Sequence, residues 1–153
     1  MPKQWITDSS DMEAILNEAV AGSFATVCPD GSPYVVAVNY VYYQGKIYFH
    51  CALTGKKLDN IKHEPRVCFE AYIIDRIVIA KRADDSSVRY RSVIVNGRAK
   101  LVTDPKVKLD SLIALSAKYS TGHDTAPPSD ECTRVTGVVE IEIDEMTGKK
   151  NID

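Results

Sequence analysis

The chain is 153 residues long, 44% hydrophobic and 26% charged, which is the size of one ordinary domain, 1–153, with enough interior to fold without disulfide or metal staples. A formal net charge of −2, with no basic run interleaved with aromatic residues, leaves no electrostatic footprint for nucleic acid. No apolar stretch reaches signal-peptide or membrane-spanning length, so the expected location is the cytoplasm, away from any membrane.

In chain order, residues 8–21 open with the capping residues Asp8, Ser9 and Ser10 and place Met12, Ile15, Leu16 and Val20 on one stripe. This predicts an amphipathic helix ending at Gly22. Residues 23–28, 33–43 and 46–52, separated by PDGS and QG turns, predict three antiparallel strands in a meander. A short helix is predicted over 54–63, with Thr54 as N-cap, Leu58 and Ile61 on its buried face and Pro65 as its stop. RVCFEAYIID from Arg66 predicts a strand, and RIVIAKRADDSS a strand passing into a loop. VRYRSVIVNGRAKLVT from Val88 predicts a long strand with Gly97 as a bulge or bend. Asp104 and Pro105 cap a helix through about Tyr119, and residues 120–133 read as loop. The last strand, VTGVVEIEID, sets Val139, Ile141 and Ile143 on a dry face against Glu140 and Glu142 on a wet one. Six or seven antiparallel strands with three helices as plugs or crossovers make a mainly β fold, a small closed or partly split barrel.

The chemistry concentrates where the third strand runs into the 54–63 helix. Lys56 and Lys57 fall in its first turn, at the positive pole of the helix dipole, where each is worse placed than a carboxylate by roughly 0.3–1 kcal/mol; Asp59 offsets only part of this. A bound phosphate removes the conflict, because free backbone N–H groups and two ammonium groups converge on it; two solvated lysines are the plainer reading. His50 shares a strand face with Tyr48 and Ala52. It serves either as a packing residue or as a proton donor beside a ligand, since imidazole titrates near neutrality. Asn39 interrupts the apolar row Val35, Ala37, Val41 and needs a hydrogen-bond partner if buried. Arg89 and Arg91 alternate with Tyr90 and Ser92, giving an exposed basic face or a contact for a phosphate or a partner chain.

Cys28, Cys51, Cys68 and Cys132 lack the paired spacing of zinc and redox motifs and are expected as reduced thiols, although sequence alone leaves a disulfide open. His50, His63 and His123 share no ligand spacing, so no metal is expected. GKK at 55–57 lacks the upstream glycine of a Walker loop, and no G-x-G-x-x-G occurs.

DGSPYVVAVNYVYYQGKIYFHCALTGKKLDNIKHEPRVCFE, followed by RYRSVIVNGRAKLVTDP and the strand and turn at IDEMTGKK, resembles the Nim-type nitroimidazole-resistance proteins, a branch of the pyridoxamine 5′-phosphate oxidase-like flavin split barrels. The resemblance covers nearly the whole chain. It implies a six-stranded antiparallel Greek-key split β-barrel that forms a homodimer, with FMN in a groove between the two subunits. By that similarity Lys57 holds the FMN phosphate, helped by Lys56 and the main chain of His50, Cys51, Ala52 and Thr54. Val36, Ala37, Val38 and Asn39 run beside the isoalloxazine ring, and Tyr90, Ser92 and Val93 approach from the second subunit. His50 is the implied catalytic residue, delivering a proton to the substrate. The implied activity is that of an FMN-dependent oxidoreductase of nitroreductase type, passing electrons from a reduced nicotinamide or other donor to a small aromatic acceptor. A non-catalytic flavin binder and a haem-binding split barrel, with His50 or His123 as axial ligand, are the alternatives. The chain departs from the family pattern at Ala37, where proline is frequent, at Asn96, where an aromatic is common, and at 83–88, which lacks the Cys and Trp of many members.

Overall fold

Buried side chains recur at alternate positions over 66–71 and 93–99, so those stretches turn one face to the interior, whereas 47–49 and 137–141 are buried on both faces. The structure is a computed structural model and describes residues 4–153. Its strands are β1 (Gln4–Ile6), β2 (Gly22–Val27), β3 (Pro33–Val38), β4 (Val41–Tyr43), β5 (Lys46–Cys51), β6 (Arg66–Val78), β7 (Ser87–Leu101) and β8 (Gly137–Asn151). Its helices are α1 (Ser9–Glu18), α2 (Lys56–His63), α3 (Pro105–Tyr119) and α4 (Asp130–Val135).

All eight strands join one antiparallel sheet in the order β3-β2-β6-β7-β8-β5-β4, with β1 on the far end of β8. The six longer strands match the predicted count; β1 and β4, three residues each, are the additions. The sheet curls round a core in which Phe24 meets Phe49 edge-on at 4.8 Å and Tyr40 meets Phe69 at 4.7 Å. Each such ring contributes about 1.5–3 kcal/mol by leaving water. A second apolar cluster lies on the other face of β5, where Tyr48, Val41 and Val138 pack against Leu112 and Leu115 of α3.

Three local causes act as the sequence predicts. Asp8 caps α1, accepting from Ser10 N at 2.9 Å, and Asp104 caps α3, accepting from Lys106 N at 2.8 Å, with Pro105 in the first turn. Gly97 marks a bulge against β8, and a Cβ there would collide with the Glu142 carbonyl.

Elsewhere tertiary contacts win. The predicted strand 33–43 breaks at Asn39-Tyr40, because Tyr40 turns fully into the core and donates its hydroxyl to Leu16 O at 2.6 Å. Both predicted hairpins form, β2 with β3 and β4 with β5, but the break divides the middle strand between them, so β3 and β4 lie at opposite ends of the strand order and β5 goes on to pair with β8. Helix α1 stops at the Ala19 cap, leaving Val20 74% exposed instead of on the buried stripe. Residues 120–133 are not all loop, since Ser129 caps α4 by accepting from Cys132 N at 3.1 Å. The turn expected at IDEMTGKK is strand, paired with β7 through Asn151.

Glu140 is not wet. Only 4% exposed, it accepts from the Tyr48 hydroxyl at 2.9 Å and lies 3.4 Å from both the Lys46 and Lys100 ammonium groups. Burial alone would raise its pKa, but the Tyr48 hydrogen bond and the two cations outweigh it and hold the carboxyl below the usual range. Burial and the Glu140 carboxylate push the Tyr48 phenol up. The Lys118 ammonium is buried with no hydrogen-bond partner among the described residues and sits 3.7 Å over the Tyr40 ring. Burial pulls it down to about 8.

Arg89 and Arg91 form no free basic face. Arg89 donates to Asp153 at 2.8 Å, while Arg91 ties α1 to β6 through Glu18 at 2.8 and 2.9 Å and Asp75 at 2.7 and 2.9 Å. Hydrogen bonds from Arg91 lower both carboxyl pKa values from 4.5 and 3.8. Lowered folded-state values mean that this stabilisation is complete above those ordinary values and is lost as pH falls through the folded ones. Arg91→Met should lower Tm by about 2–4 °C at pH 7, given roughly 1 kcal/mol for a partly exposed network, and by much less at pH 3. Equal losses at both pH values, measured by thermal unfolding, would show that packing and not charge carries the effect.

Candidate functional site

Strand β5 delivers the chain to the first turn of α2, and the local geometry there differs from the predicted Thr54 cap. Gly55 is the N-cap, at φ 148°, a conformation that favours glycine, and no side chain caps α2. A Cβ on Gly55 would meet nothing within 4 Å, so open space adjoins the uncapped N–H groups. Thr54 instead lines a separate apolar groove with Leu58 and Ile61.

Lys57 is half-buried and close enough to Cys51 to offset part of the rise that burial imposes on that thiol. Lys56 is exposed, with its ammonium 4.6 Å above the Tyr34 ring. Neither lysine forms an ion pair with a carboxylate among the described residues. The turn therefore combines open space, uncapped donors and two cations that form no salt bridge among the described residues, although the Asp30 carboxylate feels the charge of Lys56.

Phe49 points into the barrel core and Cys51 packs against it, so strand alternation turns His50 to the opposite, exposed face. There a cleft of about 520 Å³ opens, with Asn39 and His50 on its barrel side and Leu112, Leu115, Ser116 and Tyr119 of α3 opposite. Ala126, Pro128, Cys132 and Thr136, from α4 and its flanking segments, complete it. Asn39 lies outside β3, is exposed, and donates to Val20 O at 3.4 Å, so it is not a buried polar group in an apolar row. The Tyr119 hydroxyl donates to the same Val20 O at 2.6 Å and accepts from Tyr40 N at 3.2 Å, pinning the cleft wall to the β3–β4 junction.

The other sequence-derived residues divide by face. Val36 and Val38 pack against the core, while Ala37 and Ala52 are exposed. Tyr90 and Ser92 stand on the outer face of β7, where Tyr90 lies 5.5 Å from Tyr72 and the Ser92 hydroxyl donates to Lys149 O at 3.3 Å. Val93 is fully buried, so its side chain does not reach that surface. His123 lies in a different depression, separated from His50 by the Ala126–Pro128 segment that borders both spaces. Among the described residues no group of three or more His, Cys, Asp or Glu side chains is placed to hold a metal ion. The cleft wall was missed in the sequence; the signal for α4 was Ser129 followed by Asp130 and Glu131, an N-cap with acidic first turn.

Residues 8–150 match the family model of pyridoxamine 5′-phosphate oxidase. The chain belongs to the pyridoxamine 5′-phosphate oxidase family. No curated protein matches this family member. Among solved structures it is similar to a candidate 5-nitroimidazole antibiotic resistance protein from Bacteroides thetaiotaomicron, at 25% identity and TM-score 0.85, covering 97% of this chain and 87% of that one. A flavocytochrome from Azotobacter vinelandii aligns at 23% identity and TM-score 0.83, over 97% of this chain and 70% of its own. An FAD- and haem-binding protein from Mycobacterium smegmatis aligns at 18% identity and TM-score 0.85, over 97% and 74%. These likenesses establish the split-barrel fold of this pyridoxamine 5′-phosphate oxidase relative, mostly antiparallel β with a few helices. No helix among the described residues is long and apolar enough to cross a membrane.

Proposed function

We propose that residues 1–153 act as a single cytoplasmic flavin-binding domain, which binds FMN between two copies of the chain and reduces small aromatic acceptors of the nitroimidazole or quinone type. The observation that carries the reading is the turn into α2, where open space, uncapped N–H groups and two lysines outside any salt bridge among the described residues meet. That donor set fits a phosphate: Lys57, half-buried, is its main cationic ligand, Lys56 a more exposed second, and the main chain from His50 to Thr54 the neutral donors. The segment Val36–Asn39 and His50 then flank the ring. Similarity to the nitroimidazole-resistance protein and to proteins binding FAD and haem supports a flavin over other phosphate-bearing ligands.

A bound flavin supplies the electron-transfer chemistry, with a reduced nicotinamide as the donor considered first. The chain's own part is to hold the phosphate, to orient the ring and to deliver a proton from the exposed His50 imidazole. A second copy has a surface to meet: Tyr72, Ile74 and Ile94 are 46%, 55% and 43% exposed on the outer face shared with Tyr90 and Ser92. Val93, buried in its own protomer, contributes there only through backbone.

The absorbance spectrum of the purified protein tests the reading. Flavin bands that oxidised-minus-reduced difference spectra show to respond to NADH or NADPH are expected. A Soret band without flavin absorbance would replace the reading with haem binding, and flavin that never turns over an acceptor would leave a carrier.

A further inference from the structure

We infer that Lys118 is a positioning residue for the flavin site: its buried ammonium gives that site a positive field, which favours the reduced, negatively charged ring over the oxidised, neutral one. The inference rests on the flavin reading for the ligand, although the state of the lysine itself does not. Three observations carry it. The Lys118 Nζ is shut off from solvent and has no hydrogen-bond partner among the described residues. It forms no ion pair there, and it faces two aromatic rings, Tyr40 at 3.7 Å and Tyr119 at 5.4 Å. Both rings belong to the clamp beside Asn39: the Tyr119 hydroxyl donates to Val20 O at 2.6 Å and accepts from Tyr40 N at 3.2 Å, and the Asn39 amide donates to the same Val20 O at 3.4 Å.

A buried charge without a partner costs free energy, and the field that makes it costly also acts on whatever lies nearby. The rings recover part of the cost, because an ammonium is attracted by the face of a π system, but they do not cancel the charge. Tyr40 is fully buried, which holds its phenol neutral. On α1, whose Leu16 carbonyl Tyr40 bonds, Glu18 is held by Arg91 and Glu13 acts on Tyr42. Burial alone displaces the Lys118 pKa, down to about 8, and no carboxylate opposes the fall. The positive charge is therefore uncompensated, and bulk water does not screen it. Hydride transfer from a reduced nicotinamide brings two electrons and one proton, leaving oxidised nicotinamide and a ring with one additional negative charge. A cation held against Tyr40, the residue after Asn39, stabilises that product and is indifferent to the neutral ring before it. Lys118 needs no contact with the ring, since the field acts through the protein interior.

Lys118→Met keeps the length of the side chain and removes its charge. Potentiometric titration of the FMN-loaded protein at pH 7 should show the variant favouring reduced over oxidised FMN about tenfold less than wild type, a fall of about 30 mV for the two-electron couple. The charge is present below about 8 and lost above it. The gap between the two proteins should therefore close in alkaline solution. The wild-type potential should also fall more steeply from about pH 8 upward, because reduction there draws a proton onto the amine. Without flavin, Lys118→Met should melt about 2–4 °C above wild type at pH 7. A folded-state value below the ordinary 10.5 means that the ammonium costs stability while it is charged, so this gain should vanish as pH rises from about 8 to 10.5. An unchanged potential, a gap that persists in alkali, or a wild-type curve without the steeper limb would each overturn the assignment, the last even where the variant does not fold. A loss of stability that is equal at every pH would make Lys118 a packing residue and overturn it too. Protein that takes up no FMN would refute the flavin reading and the inference with it, whereas FMN binding with an indifferent potential would refute the inference alone.

Discussion

Lys57→Ala should raise the Kd for FMN by roughly 10- to 150-fold, the equivalent of about 1.5–3 kcal/mol for a charged hydrogen bond, while changing riboflavin affinity far less. The reasoning begins with the fold. Strand β5 ends against β8, so the chain enters α2 in a set direction and the first-turn N–H groups have no capping side chain. Lys57 is partly withdrawn from water, where an ammonium interacts more strongly with an anion than at the open surface. Lys56→Ala should cost less, because Lys56 is exposed and shares its ammonium with the Tyr34 ring. Fluorescence titration with both flavins separates the terms. If FMN and riboflavin weaken equally in Lys57→Ala, the lysine supports the fold of the turn and not the phosphate.

His50→Ala should slow acceptor reduction by roughly 10²–10⁴-fold at neutral pH, the range for losing a positioned general acid, with FMN affinity nearly unchanged. The imidazole lies on the exposed face of β5, beside the cleft and turned away from the barrel core, so its removal leaves Phe49 and the core packing intact. Added imidazole should restore part of the rate. Unchanged turnover in stopped-flow reduction of a nitro-aromatic acceptor would remove His50 from proton delivery.

The resemblance and the fold agree closely, yet the site was only half legible in the sequence. The lysine pair at a helix start was visible because a cation at the positive end of a dipole is a local conflict, readable within four residues. The identity of the cap was not, since Thr54 and Gly55 are both acceptable caps and only the φ of Gly55 distinguishes them. Val93 was grouped with Tyr90 and Ser92 through resemblance, although alternation along β7 sends it to the opposite face from both. The cleft was invisible because its walls come from residues 39, 50, 112–119 and 126–136, which no spacing rule connects.

What the sequence determined by itself was everything with a cause inside a few residues: the Asp8 and Asp104 caps, the alternation that makes the sheet, the Gly97 bulge and the crowd of donors at α2. The tertiary structure alone decided which strands became neighbours, that Tyr40 would break a strand to reach Leu16 O, and that Glu140 and Arg91 would be enclosed by partners rather than bathed in water. Caps and periodicities act through bonds one or two turns long. Burial and charge pairing depend on contacts such as Tyr48 to Glu140 and Arg91 to Glu18, between residues 92 and 73 positions apart, which exist only once the sheet has closed around its core.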